Sequence, residues 1–347
     1  MTPLEGSAGR VPPVGSTSGS PGAAAAYRAF TGKSVNRAGS LCYNALLRLA
    51  PWCRDRVTLR LWRGLWRRLT RAAVSPVVTS LHGKRVVVGV GHPYPLILRD
   101  HPLFNAPLVA LVTQASRASG SPVTVIDVGA GFGDTALLLA ERCPGLIARI
   151  VCVEGDEEFV AYLAANLADR SDATVVSAVV SAPNTLVGGF VRLHPGTAGL
   201  AGEGRTASVT LDNLLAPLSL APIDVIKIDV EGCDGRVLAG ATATLARASP
   251  GVLFEWHPGH CRHSGSDAFE AFTVLDAAGY DRFAWFTKFG EFSHFSGKPD
   301  RWPLEALARH CTVTRAGDDW HYDVLALHSK SPLALESLVA SCIVRQR

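Results

Sequence analysis

No run of about 18 uncharged apolar residues occurs in this 347-residue chain, so no membrane-spanning helix is expected. The first residues lack the apolar core of a secretory signal. No two cysteines stand as C-x-x-C. The eight thiols (Cys42, Cys53, Cys143, Cys152, Cys233, Cys261, Cys311, Cys342) are scattered, as expected for reduced thiols in a cytoplasmic protein. Cys152, inside an apolar strand, reads as a small buried hydrophobe. There is no internal repeat. Acids are nearly missing from the start of the chain: the first 76 residues hold twelve Lys or Arg and two acids. The whole chain is +4, so the remainder is mildly acidic, and no nucleic-acid partner is expected for it.

Composition divides the chain. Residues 1–40, opening on a stretch rich in Gly, Pro and Ser, are expected to be disordered. Residues 41–76 form a basic arm, helical and amphipathic over 41–73. Leu61, Trp62, Leu65, Trp66 and Leu69 make its apolar stripe, against Arg60, Arg63, Arg67 and Arg71. Three readings stand: a helix lying on an anionic membrane surface, placing the protein peripherally there, a helix docked through its tryptophans, or an organellar transit peptide. Residues 77–122 are expected to form a small hairpin (85–90 with 95–98) and a helix (108–119) ahead of the main sheet. Residues 123–330 form the main domain, and 331–347 a C-terminal tail.

Within 123–330, strands alternate with helices: strand 123–127, helix 134–142, strand 148–154, helix 157–168 and strand 174–180. Short strands follow near 189–193 and 207–211. Then come strand 223–229, helix 234–248, strand 251–256, helix 267–279, and strands near 283–287 and 323–328. The alternation predicts an α/β fold with a doubly wound, mostly parallel, Rossmann-like sheet.

The segment Val125-Ile-Asp-Val-Gly-Ala-Gly-Phe-Gly-Asp134 reads as a buried strand, a tight glycine turn and a helix start. Gly129, Gly131 and Gly133 allow backbone N–H groups to approach a ligand closely, with Ala130 between them. The next strand, Ile150-Val-Cys-Val-Glu154, ends in a carboxylate placed to accept ribose hydroxyls, followed by Gly155. These features indicate a nucleoside-containing cofactor. The G-x-G-x-G spacing and Asp127 ahead of the turn favour a ligand carrying positive charge, such as S-adenosylmethionine. A nicotinamide or flavin cofactor, or a turn used only for packing, remain alternatives.

A second segment, Ile223-Asp-Val-Ile-Lys-Ile-Asp-Val-Glu-Gly232, delivers Asp229 and Glu231 at the carboxyl end of a buried strand that also carries Lys227. Ligands of open α/β sheets bind there, so these acids should share a crevice with Asp127 and Glu154. A salt bridge that merely fixes the strand is the alternative use of Lys227. The cluster His257-Pro-Gly-His260-Cys261-Arg-His263 has no distant second pair of ligands, so no metal is expected there, and contact with substrate or a solvated loop are the readings that stand. Trp256, Trp285, Phe286 and Phe289 are candidates for stacking on an acceptor, with core packing expected for at least half of them.

Across residues 100–290 these segments resemble the FkbM family of S-adenosylmethionine-dependent methyltransferases. The likeness runs through Val125–Gly133, Val153-Glu154 with Asn166 ending the next helix, and Val176–Ser181. It continues in Thr210–Leu214, Ile226–Gly232 with Val237–Gly240, and Leu253-Phe-Glu255. Gly155 stands where the family often has Pro, and Asp234-Gly235 where it often has Glu. The resemblance implies a class I methyltransferase fold and O-methyl transfer to a small-molecule or glycan hydroxyl of a sugar, glycolipid or secondary metabolite. It implies that Asp127 and the glycine turn hold the methionine portion, Glu154 the ribose, and the Ser177–Ser181 loop, with Ala178 and Val179, the adenine. Removing the hydroxyl proton needs a base or a metal. Asp229 is the first choice and His257 the second, with Lys227 positioning a carboxylate. A nicotinamide-dependent oxidoreductase and a non-catalytic scaffold are the alternatives.

Overall fold

Alternate residues of a β-strand point to opposite faces of its sheet, and here that period divides the apolar residues into two cores. Val125, Ile150, Val225, Leu253 and Leu325 belong to one, and Ile126, Val151, Ile226, Phe254 and Val324 to the other. A computed structural model describes residues 22–72, 76–194, 196–200, 204, 206–220, 222–298, 300–313 and 320–344.

The N-terminal part is helical. α1 (Ala23–Thr31) is followed by α2 (Arg37–Leu49), whose first turn is capped by the Asn36 side chain accepting from Gly39 N. A short turn at Ala50-Pro51-Trp52 separates α2 from α3 (Arg56–Ala72). Predicted disorder therefore stops short of residue 40: Tyr27 of α1 is buried and stacks on Tyr162. Residues 1–21 of that expectation lie outside the described residues. The arm is a helical hairpin rather than one helix, because Pro51 interrupts it. Trp62 donates to Leu46 O and stacks on Trp66, which packs beside Tyr43, whereas Leu61 and Leu65 face outward.

β1 (Val77–Leu81) and β2 (Lys84–Val88) form an antiparallel hairpin. Its turn residues His82 and Gly83 both have positive φ, as a two-residue hairpin turn of this hand requires. The predicted hairpin is thus displaced: 95–98 lies in α4 (Tyr94–Asp100), where Pro95 sits in the first helical turn and loses no hydrogen bond. α5 is Ala106–Ser119.

The main domain then alternates. β3 (Val123–Val128), α6 (Asp134–Arg142), β4 (Ile147–Glu154), α7 (Glu157–Asn166) and β5 (Ala173–Ser177) make its first half. An excursion follows, with β6 (Leu186–Val187), β7 (Phe190–His194), β8 (Thr197–Leu200), β9 (Thr206–Ala207) and α8 (Leu211–Leu215). Then come β10 (Val225–Ile228), α9 (Asp234–Ala239), α10 (Thr242–Ala248), β11 (Gly251–Trp256), α11 (Pro258–Ser264) and α12 (Glu270–Ala277). The chain closes with β12 (Tyr280–Thr287), β13 (Phe292–Ser296), α13 (Arg301–Val313), β14 (Tyr322–His328) and α14 (Leu335–Val344).

The predicted helix 234–248 is broken at Gly240, where a Cβ would stand 2.4 Å from Ser181 O and the carbonyl accepts from Asp212 N. The predicted tail is the helix α14, with Leu335, Leu338, Val339 and Cys342 buried; Gln114 of α5 donates to Ser341.

The sheet has the order β13-β12-β14-β11-β10-β3-β4-β5. Strands β5 to β11 in that order run parallel, and β14, β12 and β13 add antiparallel neighbours at one edge. From β3 the chain moves outward to β5, then returns to lay β10 on the other side of β3. The direction of winding reverses between β3 and β10, the position where open α/β sheets leave a crevice for ligands.

Candidate active site

Register fixes which charges meet at the crevice. Lys227 pairs with Asp127 on β3, and Glu255 pairs with Asp323 on β14. Asp127, Glu154, Lys227 and Glu255 all occupy the strand phase that faces the core under α5 and α6.

The turn after β3 passes through Gly129 and Gly131, both with positive φ. A Cβ on Gly129 would stand 1.9 Å from Asp229 O, so only glycine lets this turn lie against the end of β10. Gly129 N and Ala130 N donate to Val153 O, and Gly131 N donates to Glu154 Oε2 at 2.8 Å. Glu154 Oε1 accepts from Gly155 N and Asp156 N. Burial outweighs these three donors and pushes the Glu154 carboxyl up to about 7.

Asp127 is wholly buried and does not line the crevice. Its Oδ1 lies 3.4 Å from Lys227 Nζ, which also reaches Asp229 Oδ2 at 3.2 Å. Burial disfavours the lysine's charge, but Asp229, Asp127 and Asp134 outweigh it and hold the ammonium above its ordinary value. Lys227 therefore positions carboxylates, and the carboxylate presented beside the glycine turn is Asp134, pushed up to about 7 by burial.

One cavity of about 560 Å³ connects these groups. Gly129, Gly131, Glu154, Gly155, Ala178 and Val179 line one part of it, and Lys227, Asp229 and Glu231 another. Ala130 is buried behind the turn, and Gly133 faces Leu163 instead. Phe190 from the β7–β8 hairpin covers Gly155, where a Cβ would meet its ring at 2.6 Å.

The end of the cavity at β10 and β11 differs from expectation in its histidine. His257 is almost fully buried; its Nδ1 accepts from His260 N and caps α11, which begins at Pro258. One helical turn on, His260 lines the cavity, with Nδ1 2.6 Å from Glu231 Oε2 and 3.7 Å from Glu255 Oε1. Burial opposes its charge, yet the two glutamates prevail and raise it to about 10. His321 Nε2 lies 3.3 Å from Glu255 Oε2. Glu231 has φ 55, an uncommon conformation for a side-chain-bearing residue and one that turns its carboxylate toward His260. Trp256, Trp285 and Phe286 are core residues, and Phe289 lines the cavity with Tyr94 and Ile97.

The residues present fit S-adenosylmethionine. The glycine turn leaves room that a Cβ would fill, the Glu154 carboxylate is fixed beside it at the end of β4, and Asp134, Asp229 and Glu231 give the same cavity the negative charge that suits a cationic ligand.

Residues 127–282 match the family model described as the methyltransferase FkbM domain. Among solved structures, a methyltransferase FkbM from Methylobacillus flagellatus KT is 16% identical, covering 59% of this chain and 43% of that one, with a TM-score of 0.34. The O-methyltransferase from Bacillus cereus, solved in complex with SAH, is 14% identical, covering 67% of this chain and 89% of that one, with a TM-score of 0.36. The match thus spans less than half the length of the first of these. No curated protein matches the chain.

Proposed function

We propose, for a chain that carries a methyltransferase FkbM domain on a class I methyltransferase fold, that it moves a methyl group from S-adenosylmethionine to a hydroxyl of a sugar, glycolipid or secondary metabolite. The observation that supports this most is the continuity of one cavity from Glu154 and the glycine turn to the carboxylates at the ends of β10 and β11.

When bound, the cofactor supplies a methyl group already activated by its sulfonium. The protein is left with alignment and the removal of one proton. Glu154, with Gly131 beside it, would hold the ribose, and Gly155, Ala178, Val179 and Phe190 would hold the adenine. Asp134 would hold the amino group, while Asp127 acts from behind by anchoring Lys227. Asp229, packed against the glycine turn and held by Lys227, would take the hydroxyl proton of the acceptor, while the electron pair of the broken carbon–sulfur bond would leave with S-adenosylhomocysteine. His260, tied to Glu231 and Glu255, does not serve as the base.

Calorimetric titration with S-adenosylhomocysteine, with NAD in parallel, tests the cofactor. Labelled methyl uptake by a panel of hydroxylated sugars and natural products tests the acceptor. Binding of NAD alone would overturn the reading.

A further inference from the structure

Carboxylates and imidazoles cluster at the β10–β11 end of the cavity. Glu255 and Asp323 stand directly opposite each other on β11 and β14, so two carboxyl groups meet side by side at this edge of the cavity. Glu231 adds a third carboxylate. One oxygen of Glu231, one of Glu255 and one imidazole nitrogen of His260 all lie within 4.8 Å of one another. Three elements deliver them: the turn after β10, the end of β11 and the first turn of α11. The spacing suits a single ion bound at roughly 2.0–2.2 Å from each ligand.

We infer that Glu231, Glu255 and His260 form a binding site for a divalent cation. Two carboxylates and an imidazole are hard to borderline donors, suited to Mn²⁺ or Zn²⁺. The ion replaces the close His260 contact with Glu231 and neutralises the Glu231 and Glu255 carboxylates. It offers open positions to an acceptor oxygen, lowering the pKa of the bound hydroxyl. The site deepens the methyltransferase reading above and rests on it for the acceptor, but cation binding is measured separately from cofactor binding.

The full chain, treated with chelator and then dialysed, is titrated with MnCl₂ and, in parallel, ZnCl₂. Calorimetry follows both ions, and electron paramagnetic resonance follows free Mn²⁺. Saturable binding of one equivalent of either ion is expected, weakened at least about tenfold in Glu255→Gln and in His260→Ala. S-adenosylhomocysteine affinity stays unchanged in both variants, which shows that they fold and separates this outcome from a failure of the cofactor reading. Absence of saturable binding of both ions to the wild-type chain overturns the site, as does wild-type cation affinity in the two variants.

A different observation carries a second inference. Six of the large hydrophobic side chains exposed at the surface fall between residues 41 and 65: Leu41, Leu49, Trp52, Val57, Leu61 and Leu65. Trp52 is 81% exposed, although Trp62 and Trp66 nearby are packed. Over 37–72 the only acid is Asp55, against nine arginines. We propose that α2 and α3 lie on an anionic lipid surface, with these apolar side chains entering the headgroup region and the arginines meeting phosphates. No helix among the described residues is long and apolar enough to cross a membrane.

Co-sedimentation with phosphatidylglycerol-containing vesicles is expected, with little binding to phosphatidylcholine alone. The variant W52A/L61E/L65E should weaken vesicle binding by about tenfold or more, while keeping S-adenosylhomocysteine affinity. A wild-type chain that stays in the supernatant, or a variant that sediments equally, overturns the proposal. So does a self-association that the variant abolishes without any vesicle binding.

Discussion

Asn166 pairs with Val87 as a neighbouring strand would: its Oδ1 accepts from Val87 N at 2.7 Å and its Nδ2 donates to Val87 O at 2.9 Å. The same Nδ2 donates to Phe132 O in the glycine turn. One buried amide thus ties the N-terminal hairpin to the cofactor site. Asn166→Leu should cost about 3 kcal/mol, because it leaves buried backbone groups unsatisfied. Urea denaturation measures this, and a midpoint equal to wild type would refute it.

Glu154→Gln keeps the shape of the side chain but removes the charge that receives Gly131 N, Gly155 N and Asp156 N. Affinity for S-adenosylhomocysteine should fall on the order of 10–100-fold, the value of hydrogen bonds to a charged group. Calorimetry reads the effect directly; an unchanged dissociation constant would remove Glu154 from the site.

The same carboxyl predicts a pH dependence. Its pKa in the ligand-free protein is raised to about 7 by burial. Ribose hydroxyls donate to the carboxylate, so binding favours the ionised form. Affinity should therefore rise with pH, by about tenfold per unit below 7, and level off above it. Asp134, also raised to about 7, acts in the same direction. Titrations between pH 6 and 8 test this, and a slope of opposite sign would contradict it.

Gly129→Ala would place a methyl group 1.9 Å from Asp229 O at a φ of 83. The turn must move away from β10, at a cost of at least about 3 kcal/mol. Thermal unfolding and cofactor titration should both register the change, and a variant as stable as the wild type would show that the turn is not packed as described.

Asp229→Asn retains volume and removes the proton acceptor. Turnover should fall on the order of 10²-fold or more with S-adenosylhomocysteine affinity little changed. Single-turnover methyl transfer is the measurement; undiminished turnover would move the base elsewhere.

Much of the site was legible because strand phase and strand ends carry it. Glu154, Lys227, Asp229 and Glu231 follow from two apolar runs and the rule that ligands meet the carboxyl ends. Asp127 occupies the same phase, but its depth depends on how far α6 covers the turn, which spacing does not encode. His257 and His260 were separable in principle: Pro258 marks a first helical position, which makes His257 the cap and carries His260 one turn onward. Glu255 required the register of β11 with β14, a contact between residues far apart in the chain. The alternating Phe292–Ser296 strand and the helix α14 were missed because short apolar segments look alike until a partner surface is known.

The two cores differ in when they can be completed. The core containing Ile126, Phe254 and Trp285 draws its buried residues from 126 to 326. The other needs Ala26 and Tyr27 from one end of the chain and Leu338 and Cys342 from the other. Contacts such as Gln114 with Ser341, 227 residues apart, form only after a long loop closes. On the ribosome, the outer side of α5 and β12 therefore stays uncovered until α14 has emerged, and a chain stalled before residue 335 presents that apolar surface to chaperones.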